Sequence, residues 1–169
     1  MQVLFARADW EGAGPIARLV ADMTFGPYYH VEVRFADGRC FSSQYPGGVR
    51  FKQSIDTSDP LEWDVVDVPW QETQDVLAWC DFQVGMPYDM RGAINSGIGI
   101  ALENPDAWFC SEIAAEVLSR CCTLRIPRLI SPNNLYRVLK QFLSGNLPPD
   151  QIFQFVSNAC LVRREDIYA

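Results

Sequence analysis

The 169-residue chain contains no run of about eighteen apolar residues, the length a helix needs to cross a bilayer, so no integral membrane segment is expected. Its first ten residues, MQVLFARADW, have neither a basic stretch nor an apolar run of signal-peptide length, which predicts a soluble, cytoplasmic chain. There is a single histidine, His30, and the six cysteines, at 40, 80, 110, 121, 122 and 160, form no C-x-x-C pair. A structural zinc site of the usual kind therefore lacks ligands, and neither a metal nor another cofactor is expected. Adjacent Cys121 and Cys122 are badly placed to bridge each other, and the remaining spacings resemble no disulfide framework, so reduced thiols are expected throughout. Positive charge is also scarce. Fourteen Lys and Arg against 21 Asp and Glu leave a net charge of -7, which disfavours nucleic acid or an anionic membrane surface as a partner. No internal repeat, linker or low-complexity segment interrupts the chain.

What is present suits one folded domain over residues 1–169: 49% of the residues are hydrophobic and 12% aromatic. Residues 2–7 read as a short strand. Gly14 to Met23 reads as a helix with Pro15 in its first turn and Ile16, Leu19, Val20 and Met23 on one face. Residues 28–35 alternate, with Val31, Val33 and Phe35 on the apolar side and His30, Glu32 and Arg34 on the other. Asp37-Gly38 is a two-residue hairpin signal, and pairing Ala36 with Arg39 would set Glu32 opposite Ser43 on the face of His30, with Cys40 on the apolar side. Further strands are expected at 49–52 and 62–68, with helices from Gln71 to Phe82, with Cys80 in the core, and after Ser131-Pro132, stopping before Gly145. Gly85 to Asp89 is a loop, 91–103 is loosely helical or irregular, and 151–163 is a strand or a short helix.

A second helix signal carries the chemistry. From Cys110 the apolar residues fall at Ile113, Ala114, Val117, Leu118 and Cys121, one buried helical face headed by a cysteine. A thiol in the first turn of a helix meets unpaired N–H groups and the positive end of the dipole, which favour thiolate, although many cysteines in such positions are small core residues and no more. His30, on the polar face of its strand, is of the right type to exchange a proton with that thiol. Glu32, Ser43 or Gln44 could orient its ring.

Gly85-Met86-Pro87-Tyr88-Asp89 followed by Phe109-Cys110-Ser111-Glu112-Ile113 resembles the G-x-P-Y-D and C-S-E-L/I motifs of the NlpC/P60 superfamily of papain-like cysteine peptidases. Tyr29-His30-Val31-Glu32-Val33 with Asp37-Gly38 and Gly48-Val49 is similar to its histidine hairpin. The order is reversed, histidine before cysteine, as in the circularly permuted branch similar to YiiX and LRAT-like proteins. The resemblance covers about residues 10–130. It implies an α+β fold in which an antiparallel sheet of four to six strands packs against helices, with thiol and imidazole meeting at the seam. It further implies Cys110 as nucleophile, His30 as general base and acid, and Tyr88 in the oxyanion site. Many permuted relatives carry an acidic residue on the strand after the histidine strand. Here Ser42 and Ser43 occupy that strand, so the third role falls to Glu32. The implied activity is that of a cysteine peptidase, amidase or acyltransferase on a peptide, a cell-wall fragment or an acyl or lipid-type substrate. Two other readings are a papain-like binding module with little or no turnover, and a structural protein of a virus or mobile element.

Overall fold

The structure, a computed structural model, describes residues 1–98, 104–122 and 124–157, with the side chains of 97 and 98 outside the description. It is α+β. Strands β1 (Gln2–Arg7), β2 (Tyr28–Arg34), β3 (Cys40–Gln44), β4 (Gly48–Lys52) and β5 (Trp63–Asp67) form one antiparallel sheet in the order β4-β3-β2-β1-β5. Helix α1 (Pro15–Met23) lies between β1 and β2 in sequence, and α2 (Gln74–Gln83), α3 (Met90–Ile98), α4 (Cys110–Cys121) and α5 (Pro132–Leu143) follow β5. A 3-10 turn at Pro149–Gln151 leads into helical residues 152–157. The region 91–98, expected to be loosely helical, is regular helix, whereas 99–103 and 158–163 fall outside the described residues, as does Cys160. Cys40, Cys80, Cys110, Cys121 and Cys122 are all free thiols.

The strands form where β-branched and aromatic residues alternate with polar ones. Val3, Phe5, Val31, Val33, Phe41, Val49 and Val66 turn to one face of the sheet and meet Ile113, Val117 and Leu118 of α4 and Leu135, Val138 and Leu139 of α5. Those helical residues recur at three and four positions, so each helix offers one continuous apolar stripe. Helix α5 starts where Ser131 accepts the Asn134 N–H and Pro132 takes the first turn, and Gly145, at φ 76°, marks its exit. Leu118 is 0% exposed at the centre of this layer. Truncation of such a leucine removes methyl groups and leaves a cavity, so Leu118→Ala should cost about 2–5 kcal/mol in a denaturant titration. A loss under about 1 kcal/mol would mean that the α4–sheet layer is not the core.

One expectation from sequence needs correction. The β2–β3 hairpin has a three-residue loop: the Phe35 N–H bonds to the Arg39 carbonyl at 2.9 Å, and Gly38 takes φ 87° to close the turn. The ladder therefore pairs Arg34 with Cys40 and Val33 with Phe41, one residue away from the two-residue pairing. A one-residue slip exchanges faces. Cys40 consequently sits opposite Arg34 rather than on the apolar side, and Ser43 shares the face of Phe41 and Val49 rather than that of His30. Helix α1 is where sequence predicts it, and its packing is a separate finding. Its buried residues are Ala17 and Ala21, packed with Ala8 and Ala13, whereas Ile16 and Leu19 are 62% and 57% exposed. The alanines of α1 are buried, Val20 and Met23 are half-buried, and Ile16 and Leu19 are exposed.

Candidate active site

The site begins with a bulge in β2. Ala6 of β1 pairs with His30 and Arg7 with Tyr28, so Tyr29 has no opposite number and the alternation of β2 slips there. Tyr28 is thereby turned into the core beside Phe5 and Tyr136, while Tyr29 and His30 stand together on the other side with ring centroids 6.2 Å apart. The bulge is held from outside. The buried amide of Asn133 accepts the Tyr28 N–H at 3.1 Å and donates to the Tyr28 carbonyl at 2.9 Å, standing in for a neighbouring strand, and also reaches the Thr24 hydroxyl.

His30 Nε2 lies 3.0 Å from Glu32 Oε1, and the ring is 13% exposed. Residues two apart on a strand share a face, which gives this contact directly. Glu32 is itself 0% exposed and is gripped by Arg50 from β4, with Nη2 2.7 Å from Oε1 and Nη1 3.2 Å from Oε2. Arg50 is opposite Ser42, on the same face as Glu32, and its guanidinium also contacts the Gln44 amide oxygen. Burial raises the Glu32 pKa, but the hydrogen bonds and charges of His30 and Arg50 outweigh it and hold the carboxyl down at about 2. A carboxylate thus faces the imidazole over the whole working pH range.

Cys110 is the first residue of α4, after Phe109 in extended conformation, and no side chain caps the first turn from Phe109. Glu112 lies in the first turn of α4, whose unpaired N–H groups are at the thiol end of the helix. Beyond the pair Val33 and Phe41, β2 and β3 part: the Ser42 hydroxyl donates to the Val31 carbonyl, and the Ser43 hydroxyl donates to the Trp108 carbonyl at 2.7 Å. Ser43 thus ties the entry to α4 onto β3 and does not orient the imidazole. Cys110 lies close enough to His30 for its charge to act on the ring. Burial lowers the His30 pKa, but hydrogen bonds to Cys110 and Glu32, with their charges, raise it to about 9. With Nε2 engaged by Glu32, Nδ1 is the nitrogen left for the thiol proton.

Tyr88 stands across the site. Its backbone pairs with that of Trp108 in an isolated bridge, and the Asp89 N–H donates to the Trp108 carbonyl while the Trp108 N–H donates to the Pro87 carbonyl. Burial first, then the charges of Cys110 and Asp89, raise the Tyr88 pKa well above its ordinary value, so its hydroxyl remains a hydrogen-bond donor. Of the residues singled out by sequence, Cys110, His30, Glu32 and Tyr88 come together. Ser43 faces the backbone before the helix, and Gln44 contacts Arg50 rather than His30.

Two arginines escaped the sequence reading. Arg50 could have been found only with the correct hairpin register, because a one-residue shift decides which face of the sheet it shares. Arg128 is the other. Its guanidinium lies 4.4 Å from the Trp108 ring centroid, and its Nη2 lies 3.0 Å from Oε1 of the buried Glu112. Burial raises the Glu112 pKa, with Arg128 opposing, to about 7. The pair clamps the segment before Cys110 to the first turn of α4.

On the side of the sheet away from α4, a cavity of about 460 Å³ extends from His30, Glu32 and Tyr88 to the facing surfaces of α1 and α3. Among the described residues no group of three or more His, Cys, Asp and Glu side chains is disposed to hold a metal ion, and no helix is long and apolar enough to cross a membrane. Compared with family models, with curated proteins and with solved structures, the chain matches none.

Proposed function

We propose that the chain is a cysteine hydrolase or acyltransferase acting on an amide or ester bond, built on a permuted papain-like fold similar to that of NlpC/P60 proteins. One observation carries this reading: a buried cysteine in the first turn of a helix lies close enough to a histidine to raise its pKa, and Nε2 of that histidine is held by a buried, ionised carboxylate. Residues eighty positions apart have no local reason to meet. The order of elements, histidine strand before cysteine helix around an antiparallel sheet, supports the permuted arrangement.

In the proposed reaction His30 already holds the proton given up by the thiol, and the Cys110 sulfur attacks the carbonyl carbon as a thiolate. First-turn N–H groups of α4 and the Tyr88 hydroxyl stabilise the oxyanion. The C–N or C–O bond then breaks as His30 returns its proton to the departing nitrogen or oxygen. Water, deprotonated by His30, attacks the Cys110 thioester and releases the acid, restoring the thiol; an acceptor alcohol or amine in place of water gives acyl transfer. Glu32 holds the ring in orientation and offsets the imidazolium charge. The test is alkylation of the native protein by iodoacetamide near neutral pH. Cys110 should be modified faster than a cysteine in the urea-unfolded chain, as followed by peptide mass mapping. A rate equal to or below that of the unfolded control would remove the enzyme reading.

A second reading, a binding module without turnover, is favoured by the 3% exposure of Cys110, which leaves the thiol covered in the free protein. Slow alkylation with retained ligand binding would select it.

A further inference from the structure

We infer that the segment 128–133, which runs into the first turn of α5, is a strut that sets the position of Cys110 relative to His30, with Arg128 and Asn133 as positioning residues. The inference deepens the thiol reading and rests on it. Beyond α4 the chain turns back along that helix. The Ser119 hydroxyl accepts the Ile126 N–H at 3.3 Å, Arg128 Nη2 lies 3.0 Å from Glu112 Oε1, and the Ser111 hydroxyl donates to the Ile130 carbonyl at 2.6 Å. The partners on α4 step down from 119 to 111 as the segment advances, which brings it to the helix start. There the Arg128 guanidinium also covers the Trp108 ring at 4.4 Å. Residues 108, 111 and 112 flank Cys110, so the turn that carries the sulfur is held both before and after it.

Three residues after Ile130, the buried Asn133 bonds the backbone N–H and carbonyl of Tyr28, two residues before His30. One short segment thus grips both the helix of the cysteine and the bulge of the histidine. Directional bonds matter here because the rest of the contact is apolar. Helix α4 meets the sheet through Ile113 and Val117 against Val31 and Val33, and apolar contact holds a helix on a sheet without fixing where along it the helix sits. Hydrogen bonds weaken steeply as they bend, so they do fix it. Strand β3 supplies one bridge, from the Ser42 hydroxyl to the Val31 carbonyl and from the Ser43 hydroxyl to the Trp108 carbonyl. About a single bridge the helix start could pivot, and the segment 128–133 supplies the second. Neither Arg128 nor Asn133 lines the cavity beside His30, so substrate binding does not sense them directly.

His30 is the single histidine of the chain, so its ring signals in an NMR titration are identified without ambiguity. Cys110 and Glu32 hold its pKa at about 9, and the Glu32 contact lies within β2, so a fall reports Cys110 moving away. Arg128→Met and Asn133→Ala should each lower that pKa. Each should also lower kcat by about tenfold to a hundredfold with KM unchanged, the loss expected of a displacement of about 1 Å. Arg128→Lys keeps a cation opposite Glu112 without the flat stacking surface and should recover part of both losses. In a His30→Ala background neither substitution should slow Cys110 alkylation further, because no ring remains to be positioned. Circular dichroism and melting temperature check each fold; should Asn133→Ala fail to fold, Arg128→Met and Arg128→Lys decide. A folded Arg128→Met with parental His30 titration and kcat overturns the strut, as do losses that persist in full without His30. Fast Cys110 alkylation in the parent with that result leaves the thiol reading intact. Slow alkylation in the parent, with a His30 pKa that falls in both variants, removes the enzyme reading and leaves the strut.

Discussion

Cys110 alkylation and substrate turnover should both collapse when His30 is replaced by alanine, the turnover by about a hundredfold to ten-thousandfold. The imidazole is the acceptor of the thiol proton and the donor to the leaving group, and the described residues contain no second histidine to replace it. Its raised pKa of about 9 gives the loss a pH signature. In the parent, the acylation rate should hold through neutral pH and fall as pH passes about 9, where the ring loses the proton it returns to the leaving group. His30→Ala should lack this alkaline limb. The same shift links to stability. Protonated His30 is favoured by the folded state, so its contribution is fully present below the ordinary value of 6.5 and is lost as pH rises through about 9. The stability difference between parent and variant should therefore shrink over that interval in urea titrations. Turnover of His30→Ala within about tenfold of the parent would exclude the ring from proton transfer.

Glu32→Gln should be nearly as costly, lowering turnover by about a thousandfold while the protein still folds. The glutamine can still touch Nε2, but it carries no charge to offset the imidazolium and can present its amide N–H to the ring in place of an acceptor. Because the carboxylate helps to raise the His30 pKa, the alkaline limb should move down from about 9 in this variant. Arg50 adds a graded control. It touches no reacting atom and acts on Glu32, so Arg50→Gln should lower turnover by about tenfold and shift the same limb upward, since loss of a neighbouring cation favours the imidazolium, with the substrate KM unchanged. The Glu32 pKa of about 2 gives the acid side: its stabilisation is present above the ordinary 4.5 and disappears as pH falls through about 2. Glu32→Gln turnover within about threefold of the parent, under 1 kcal/mol of barrier, would remove Glu32 from the site and leave Cys110 and His30 in place.

Periodicity alone was enough for the elements. Val31 and Val33 alternating with His30 and Glu32 is a strand pattern, and Cys110 heading Ile113, Val117 and Leu118 is a helix pattern, because these spacings follow from backbone geometry within a few residues. The cysteine at a helix start, the lone histidine and Glu32 two residues beyond it were legible for the same reason. Tertiary structure decided everything that depends on how distant segments meet. The three-residue hairpin loop shifted the register by one, which placed Arg50 on Glu32, removed Ser43 from the histidine face and turned Cys40 away from the apolar side. Asp37-Gly38 is compatible with either loop length, and the side chains to be buried on β3 choose between them. The bulge at Tyr29 is equally silent in sequence, since it exists only by comparison with Arg7 and Ala6 across the sheet and is held by Asn133 from α5. Ile16 and Leu19 have the spacing of a buried face yet stand in the open, because amphipathicity specifies that a face is apolar and not what covers it; here α1 and α3 leave a cavity between them.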